Sequence, residues 1–579
     1  MTNVNATSSM VNLRSGGQIL VDQLKIHGAD FAFCVPGESY LPVLDALYTN
    51  RDTIKLITCR HESGAANMAD AYGKLTGKPG LCFVTRGPGA TNASIGVHTA
   101  FQDSTPMILF IGQVGSDFIE REAFQEIDYR RMFGQMAKWV AQIDRADRVP
   151  EYIARAYQVA TSGRMGPVVL ALPEDMLSAM VAVPDARAWQ RVGTSPGNDE
   201  MFRLSNMLNM AKRPIVIAGG TGWGAESCAD LQNFIEKQHL PIGCAFRYQD
   251  LFDNTHPNYA GDVGIGINPK LAERIKAADL LIAIGPRLGE MTTGGYDLIS
   301  APIPAATQKL VHIHAGAEEL GRVYQADLMI NATMPEMAQV LAAQPRMTTA
   351  AIDANVASAN SDYQMWQSRK ETPGKVQMWE VMQHLEQVLP LDAILTNGAG
   401  NYATWVHRFH RYHTSAGFRT QLAPTSGAMG YGVPAAIAAK AVHPERTVIA
   451  FAGDGCFLMT GQELATAVQY QLNVIFIVVN NGMYGTIRMH QEREFPGNVH
   501  GTSLTNPDFA AYARAFGAHG EVVENTAEFP PAFERAIKVG KPALIEIRID
   551  PEAISPNTTL QAIRDGAIAT TAARATQPR

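Results

Sequence analysis

Short runs of apolar residues recur along most of the chain, and each is followed by a longer stretch whose apolar residues have helical spacing. This alternation is typical of parallel sheets that are covered by helices on both faces. The runs form three groups, at 31–35, 55–59, 80–85, 107–112 and 167–172, then at 213–224, 278–285, 309–316 and 326–332, and finally at 392–398, 447–453, 474–480 and 542–549. We therefore predict an α/β chain with three doubly wound parallel-sheet domains.

Two segments without strand or helix pattern separate these groups, and a third follows the last group. Residues 183–200 are charged and contain proline, which predicts a linker. Residues 346–364 are rich in alanine, serine, threonine and asparagine and predict a long surface linker, and residues 554–579 predict a mobile tail. The predicted domains span 12–182, 200–345 and 370–552.

The amino-acid composition and charge indicate which kinds of molecule the protein binds. The chain has 579 residues with 48 basic against 55 acidic side chains, a net charge of −7, and no long run of either sign, which argues against nucleic acid or an anionic membrane. Its six cysteines form no C-x-x-C pair and are expected to be reduced core thiols. The first residues lack the apolar stretch of a secretion signal, and the most apolar run, 474–479, is too short to span a bilayer. A cytoplasmic enzyme acting on small molecules is predicted.

Two polar motifs follow neighbouring predicted strands. Gly-Asp-Gly at 453–455 follows one strand, and Asn-Asn at 480–481 ends the next. In a right-handed βαβ crossover both loops leave at the same edge of the sheet, so Asp454 and Asn481 can converge on one cation. Oxygen ligands suit Mg²⁺ holding a diphosphate, and the backbone carbonyl of Met483 would complete the protein ligands. The alternative is that each motif is only a turn.

The segment from Gly398 to Tyr402 follows another strand and precedes a helix. Backbone amides at such a helix start suit a phosphate. Alternatively, Asn401 caps the helix.

A separate group of candidate functional residues lies in 60–92. Glu62 comes just after a strand, at the start of a predicted helix, and the segment ends in a glycine-rich turn that leads into another helix. Taken alone, Glu62 is a carboxylate in a first helical turn, interacting with the helix dipole.

Taken together, these motifs are similar to those of a known family. Gly-Asp-Gly followed some two dozen residues on by Asn-Asn resembles the thiamine-diphosphate signature. His61-Glu62 with Val84-Thr85-x-Gly-Pro-Gly-Ala-Thr-Asn resembles the pyrimidine-binding domain of acetolactate synthase and the related pyruvate-oxidase-like enzymes. Further matches cover nearly the whole chain, at 103–107, 112–114, 123–126, 166–175 and 426–439.

The resemblance implies a pyrimidine-binding, a central Rossmann-like and a diphosphate-binding domain. It implies an active site between the first domain of one subunit and the third of another, hence a homodimer or homotetramer. Glu62 would hydrogen-bond the pyrimidine ring nitrogen from a buried position, and Met429 would hold the cofactor bent; the alternative for Met429 is core packing. Besides Glu62, the expected cofactor residues are Gly400, Asn401, Tyr402, Gly427, Met429, Gly453, Asp454, Gly455, Asn481 and Met483, of which Asp454, Asn481 and Met483 would hold Mg²⁺.

The resemblance also implies which residues contact the substrate. Phe124, Gln125 and Lys138 match residues of the acetolactate synthase pocket, and Gln113 lies in the neighbouring Gly-Gln-Val segment. Amide and ammonium groups there would steer carboxylate or carbonyl oxygens. His98 lies in the helix after the glycine-rich turn. The predicted catalytic residues are Glu62, Gln125, Gln113 and His98; alternatively, Gln125 and Lys138 are only interface or surface residues and His98 is a core or surface residue.

Several residues depart from the acetolactate synthase pattern. Arg86 stands where a small hydroxyl residue is usual, and either binds a substrate anion or pairs with a carboxylate elsewhere. His490 stands near the position of the tryptophan that shapes the second-substrate pocket. Glycines between 219 and 224 and Arg287 resemble a flavin-binding loop, but the acidic residues expected at 314 and 316 are absent. Flavin adenine dinucleotide binding is therefore left open.

The function predicted from these residues is a Mg²⁺- and thiamine-diphosphate-dependent 2-oxo acid decarboxylase and carboligase, similar to acetolactate synthase. It would form a 2-hydroxy ketone or a 2-hydroxy-3-oxo acid from a pyruvate-like donor. One alternative is a flavin-linked 2-oxo acid oxidase or dehydrogenase. Another is a cofactor-binding homologue without turnover, which the joint presence of Glu62, Asp454 and Asn481 disfavours.

Overall fold

The computed structural model describes residues 13–348 and 352–576. The predicted first-domain boundary at residue 12 and the tail residues 577–579 lie outside these ranges. The described residues contain three six-stranded sheets, and the strands pair in parallel within each of them. This confirms the predicted α/β class with three doubly wound parallel sheets.

Of the described residues, the first compact unit contains 13–73, 78–101 and 105–192. Its sheet has the strand order β3-β2-β4-β5-β7-β6, and a separate antiparallel pair joins β1 to β8. The elements are β1 (Arg14–Ser15), α1 (Gly16–Ile26), β2 (Phe31–Cys34), α2 (Leu41–Thr49), β3 (Lys55–Thr58), α3 (Glu62–Thr76), β4 (Gly80–Val84), α4 (Gly87–Asp103), β5 (Met107–Gln113), α5 (Tyr129–Phe133), β6 (Trp139–Gln142), α6 (Val149–Thr161), β7 (Pro167–Pro173), α7 (Glu174–Ser178) and β8 (Met180–Val181).

The second compact unit consists of residues 74–77, 102–104 and those from 193 onward, and it carries two sheets. The elements around the first of them are α8 (Asn198–Met210), β9 (Pro214–Ala218), α9 (Ala225–Gln238), β10 (Ile242–Ala245), β11 (Tyr259–Val263), α10 (Pro269–Ala277), β12 (Leu280–Ile284), β13 (Lys309–His314), β14 (Leu328–Asn331), α11 (Met334–Ala343) and α12 (Asp353–Trp366). Its strand order is β11-β10-β9-β12-β13-β14.

The other sheet of this unit has the order β16-β15-β17-β18-β20-β19. Its elements are α13 (Met378–Val388), β15 (Ile394–Asn397), α14 (Ala403–Phe409), β16 (Gln421–Leu422), α15 (Gly432–Val442), β17 (Val448–Gly453), α16 (Asp454–Phe457), α17 (Leu464–Gln469), β18 (Ile475–Asn480), α18 (Gly485–Glu494), α19 (Phe509–Ala515), β19 (His519–Val523), α20 (Phe529–Lys538), β20 (Ala543–Arg548) and α21 (Leu560–Thr576).

The central strands are buried along their whole length, which explains their continuous apolar sequences. Every residue of β5, β7 and β17 is buried. Strands that are covered on both faces need apolar side chains at successive positions rather than at alternate ones. Their carboxyl ends are then the natural edge for a ligand site.

Two segments that the sequence predicts to be irregular are helical, so both predictions were wrong. Within the predicted linker 346–364 the structure has α12, where Asp362 accepts from Arg274 Nη2 at 2.9 Å and Tyr363 is 5% exposed. Within the predicted tail the structure has α21, which packs against α18. Both helices are rich in small and polar residues and show little amphipathic pattern.

All six cysteines are buried and free, as predicted. Across residues 13–348 and 352–576, the structure has no helix of the length and apolarity that a membrane crossing requires.

Candidate functional site

The loops after β17 and β18 leave the sheet side by side. The two strands are paired in parallel, with Gly453 opposite Val479. Asp454 therefore begins α16 next to the point where Asn480 ends β18. This confirms the predicted meeting of the two strand ends at one edge.

A cavity of about 240 Å³ opens at this edge. It lies entirely within the second unit. All ten residues of this unit that were predicted to hold the cofactor line it: Gly400, Asn401, Tyr402, Gly427, Met429, Gly453, Asp454, Gly455, Asn481 and Met483. Trp405, Thr486, Ile487, Ile549, Ala553 and Ile554 also line it, and sequence reasoning had not selected them.

Asp454 is a buried carboxylate at the wall of this cavity, only 2% exposed. Its Oδ2 accepts from Asn506 Nδ2 at 2.7 Å, and the backbone N–H groups of Gly455 and Gly482 also face it. Among the residues that the structure describes, no cationic side chain pairs with it. Burial raises the pKa of Asp454 above its usual value. A buried carboxylate without a cationic partner fits a divalent cation.

The carboxylate is held in place by a chain of polar side chains. Asn506 Nδ2 also donates to Asn480 Oδ1 at 3.0 Å, and Asn480 Nδ2 donates to Glu546 Oε1 at 2.8 Å. Arg548 Nε completes the chain by donating to Glu546 Oε1 at 2.9 Å. Sequence reasoning missed this network, because Asn506 stands before a proline and shows only the pattern of a turn.

The other two predicted metal ligands lie in the turn after β18. Asn481 Oδ1 accepts from the backbone N of Met483 at 3.3 Å, and the Met483 carbonyl accepts from the N of Gly485 at 2.9 Å. In the described part of the chain, no three His, Cys, Asp or Glu side chains converge on one point. A metal at this cavity would therefore be held by the Asp454 carboxylate with amide and carbonyl oxygens, the donor set that Mg²⁺ accepts.

The loop before α14 forms the next wall. The hydroxyl of Tyr402 accepts from the N of Gly398 at 3.0 Å and lies 3.4 Å from Cys456 Sγ. Asn401 does not cap α14; its Oδ1 accepts from Thr486 Oγ1 at 2.8 Å. The interpretation of Asn401 as a helix cap was therefore wrong, since its side chain ties this loop to α18.

Glycine is needed at position 455 because an aromatic ring packs against the backbone there. A Cβ at this position would lie 2.5 Å from Cε1 of Tyr484, and one at Gly453 would lie 3.0 Å from Cδ1 of Tyr402. Any side chain at Gly455 would therefore displace the tyrosine that lines the cavity.

The loop between β16 and α15 carries Gly427 and Met429. Gly427 has a φ of +69°, in the left-handed region that favours glycine. Met429 is half-buried and lines the cavity, so its side chain is not part of the core. Core packing as the explanation of Met429 was therefore wrong.

Asp103, within the second unit, holds this loop from behind. Its Oδ1 accepts from the N of Thr425 at 2.9 Å and from the Thr425 hydroxyl. Its Oδ2 pairs with Lys74, whose ammonium also lies 3.2 Å from the hydroxyl of Tyr431. The Asp103 side chain is fully buried and that of Lys74 is 10% exposed. The sequence had shown Asp103 only as part of a matching motif.

We expect Asp103→Ala to lower the free energy of unfolding by about 3 kcal/mol, because it removes the carboxylate that neutralises the buried Lys74 ammonium. Asp103→Asn, which keeps an acceptor for Thr425, should cost less. Urea unfolding followed by circular dichroism measures both. Asp297→Ala, which breaks the exposed pair with Lys276, is the matched control. An unfolding midpoint for Asp103→Ala equal to that of the control would contradict the assigned role.

Glu62 lies in the first unit, as the first residue of α3. Its side chain is half-buried rather than fully buried. Its Oε2 accepts from Asn92 Nδ2 at 3.0 Å, and a Cβ at Gly89 would lie 3.5 Å from its Oε1. The carboxylate therefore faces the first turns of α4, the helix that begins in the glycine-rich turn.

The structure brings the two predicted glutamines to the same region of the first unit. The Gln125 carbonyl accepts from the N of Gly87 at 2.9 Å. Gln113 is 4% exposed; its Nε2 donates to the Ile127 carbonyl at 3.0 Å and its Oε1 accepts from the N of Val114 at 3.0 Å. The Gln113 amide therefore braces the loop, whereas Gln125 Oε1 is buried without a partner.

The other substrate-side residues are more dispersed. His98 is exposed and lies about 16 Å along α4 from its first residue. Lys138 Nζ donates to the carbonyls of Val159 and Ser162, each at 2.6 Å. Phe124 is 71% exposed.

Arg86 pairs with a carboxylate, which was one of its two predicted roles. Its guanidinium contacts Glu174 and lies 3.4 Å from Glu38. Two carboxylates therefore already neutralise the charge that a substrate anion would need.

The glycine-rich loop of the central sheet is packed against its own chain. Trp223 donates from its indole N to the Gly219 carbonyl at 2.9 Å and is 6% exposed. A Cβ at Gly220 would lie 2.1 Å from the Gly285 carbonyl. The glycines here serve the close approach of two loops.

The residues of this sheet that resemble a flavin-binding site also form hydrogen bonds within the chain. Arg287 Nη1 donates to the Gln102 carbonyl at 2.9 Å, and its Nε lies 3.4 Å from Glu319 Oε2. His314 Nδ1, where the pattern has an acid, accepts from the N of Gly316 at 2.9 Å. The end of β13 thus carries histidine and glycine where the flavin-binding pattern has acids, and Arg287 already uses Nε and Nη1 for contacts within the chain.

Comparison with known proteins gives matches over most of the chain. Three family descriptions of the thiamine pyrophosphate enzymes match: the N-terminal TPP binding domain at 14–132, the central domain at 203–341 and the C-terminal TPP binding domain at 398–547. The chain is 31% identical to the acetolactate synthase isozyme 2 large subunit of Escherichia coli, covering 93% of this chain and 96% of that protein. It is 30% identical to the acetolactate synthase large subunit of Corynebacterium glutamicum (93% and 87% covered) and 29% identical to the mitochondrial catalytic subunit of Saccharomyces cerevisiae (94% and 82%).

Proposed function

The chain belongs to the family of thiamine pyrophosphate enzymes, and on that premise we propose that it is a Mg²⁺-dependent 2-oxo acid decarboxylase and carboligase. Thiamine pyrophosphate is the same compound as thiamine diphosphate. The observation that carries the proposal is the cavity of the second unit, where a buried carboxylate without a cationic partner meets a turn of amide and carbonyl oxygens.

The diphosphate end is assigned to the edge of the sheet. Asp454, Asn481 and the Met483 carbonyl would hold Mg²⁺, and the backbone around Gly400 and Asn401 would contact the phosphates. The polar chain from Asn506 to Glu546 supports this, because it fixes the Asp454 carboxylate in one orientation before any ligand arrives.

The heterocyclic end is assigned to the loop with Gly427 and Met429. When bound, thiamine diphosphate supplies an acidic ring carbon that adds to the carbonyl of a 2-oxo acid and accepts the electrons released with carbon dioxide. The half-buried Met429 at the cavity wall supports a role in holding the cofactor bent, and the anchored loop behind it keeps that side chain in place.

We assign to Glu62 the task of holding a proton at the pyrimidine ring nitrogen. Its carboxyl group, fixed by Asn92, is the acid of the first unit that the resemblance aligns with this role. The resemblance further supports a homodimer or homotetramer in which Glu62 serves the cofactor held by a partner subunit. Oligomeric state in solution, measured by light scattering, tests this part.

Carboligation is favoured over other outcomes by the relatives and by the central sheet. Several relatives are named acetolactate synthases, and positions 314 and 316 of the central sheet lack the acidic residues of the flavin-binding pattern. The product is then a 2-hydroxy ketone or a 2-hydroxy-3-oxo acid. Gln125, with an unpartnered buried amide oxygen, is the more promising of the two predicted glutamines for contact with substrate.

Incubation with pyruvate, Mg²⁺ and thiamine diphosphate is expected to release carbon dioxide and give a carboligation product that mass spectrometry identifies. The same mixture with a chelator is the control and should be inactive. Acetaldehyde as the only product would contradict carboligation, and reduction of an added dye would point to the oxidase alternative. A panel of other 2-oxo acids tests whether the donor is pyruvate itself.

A further inference from the structure

The carboxylate of Glu492, at the end of α18, is completely buried. Arg564 of α21 binds it with two hydrogen bonds, from Nε to Oε2 at 2.8 Å and from Nη2 to Oε1 at 2.6 Å. Such two-point pairs fix the relative orientation of the elements that carry them. Since α21 follows the last strand, this pair joins the C-terminal helix to a helix of the cavity wall.

Other donors complete the shell of this carboxylate. Arg488 Nε donates to Oε1 at 3.0 Å and the N of Gly497 donates to Oε2 at 3.0 Å. The hydrogen bonds from Arg564, with those of Gly497 and Arg488, lower the pKa of Glu492 to about 2. The pair therefore stays charged throughout the range in which enzymes work, and it acts as a permanent clamp.

The opposite end of α18 lies at the cavity. Tyr484, Gly485, Thr486 and Ile487 line it, and Thr486 is hydrogen-bonded to Asn401 of the facing loop. A helix of ten residues is about 15 Å long and behaves as a rod. Holding its last turn therefore sets the position of its first turn.

Apolar burial contributes little to holding the described part of α21. Between residues 560 and 572, Leu560 is the one buried side chain. The segment before it runs along the cavity, which Ile549, Ala553 and Ile554 line. The charged pair therefore joins α21 to α18 by direct side-chain hydrogen bonds.

We propose that Arg564 is a positioning residue which, through Glu492, fixes the first turn of α18 at the wall of the cavity. The C-terminal helix thereby sets the shape of the site without touching its ligand. The identification of that ligand rests on the function proposed above, whereas the clamp itself does not.

Arg564→Gln is expected to speed amide hydrogen exchange of residues 484–494 and to raise the Kd of thiamine diphosphate, each roughly tenfold, the factor that corresponds to 1.4 kcal/mol. Arg564→Lys, which keeps one charged donor, should lie between this variant and the parent. Arg535→Gln is the matched control, because it removes an arginine from an exposed pair with Glu521 and should change neither quantity.

The double variant Glu492→Gln with Arg564→Gln tests whether Arg564 acts through Glu492 or whether its loss destabilises the protein in general. If Arg564 acts through Glu492, Arg564→Gln changes exchange and Kd much less in the Glu492→Gln background than in the parent. Additive losses, or exchange and Kd in Arg564→Gln equal to those of the control, would overturn the proposal. Should the parent protein fail to bind thiamine diphosphate, the exchange measurement still decides whether the clamp exists, so the two failures are distinguishable.

Discussion

Replacing Glu62 by Gln is expected to lower kcat by about 10³-fold, the scale on which positioned acids and bases contribute. The substitution keeps the size and hydrogen-bonding reach of the side chain, so the bond from Asn92 has a counterpart in the variant. It removes the group that can exchange a proton with the pyrimidine nitrogen. Steady-state turnover with saturating cofactor and 2-oxo acid is the measurement.

The alternative interpretation of Glu62, as a carboxylate at a helix start, predicts only a small loss of stability. Glu151 provides the matched control, because it is an exposed glutamate in the first turn of α6. Glu151→Gln should leave kcat unchanged. A Glu62→Gln enzyme whose kcat stays within a factor of about three of the parent would refute the catalytic role.

Asp454→Asn is expected to weaken Mg²⁺-dependent binding of thiamine diphosphate by about 10²-fold, equivalent to about 3 kcal/mol. The reason is that the cavity then lacks the buried Asp454 carboxylate, while the amide keeps the shape of the side chain. Titration calorimetry in excess Mg²⁺ measures the loss.

The same substitution should not destabilise the protein without ligand. Asp454 is buried without a cationic partner, so its charge opposes folding until a cation binds. The thermal midpoint of the ligand-free variant should therefore equal or exceed that of the parent. Asp508→Asn, at the N-terminus of α19, is the control for cofactor affinity. Parent-like affinity in Asp454→Asn would contradict the assignment of the metal ligand.

The central strands of each sheet were predictable because burial on both faces demands unbroken apolar runs. Within the three six-stranded sheets of the described residues, five strands were not predicted, namely β6, β10, β11, β16 and β19. Four of them lie at sheet edges, where one neighbour and partial exposure relax the demand for apolar side chains. β16 has only two residues, too few for any periodicity.

The helices that sequence reasoning missed are stabilised by polar contacts with distant residues. α12 is joined to α10 through Asp362, with Arg274 and Lys270 as donors. α21 is joined to α18 through Arg564. Local composition cannot reveal pairs whose members stand 72 or more residues apart. The predictions of a linker and a tail failed for this reason.

Site residues could be predicted where the side-chain type and the order of the strands both indicate the same position. Asp454 and Asn481 follow adjacent strands, so topology alone brings them to one edge. The supporting residues were not predictable in the same way, because Asn506 and Asp103 reach the site through the fold rather than through a motif. Gln113 is the opposite case: it belongs to a motif, but its side chain stabilises a loop.

The central claim is that the cavity of the second unit binds thiamine diphosphate through a divalent cation. Calorimetric titration of the full chain with thiamine diphosphate, in Mg²⁺ and then in excess chelator, tests it most directly. The account predicts saturable binding at one site per chain with Mg²⁺ and its loss in chelator. The absence of binding in excess Mg²⁺, or equal affinity in both conditions, would contradict it.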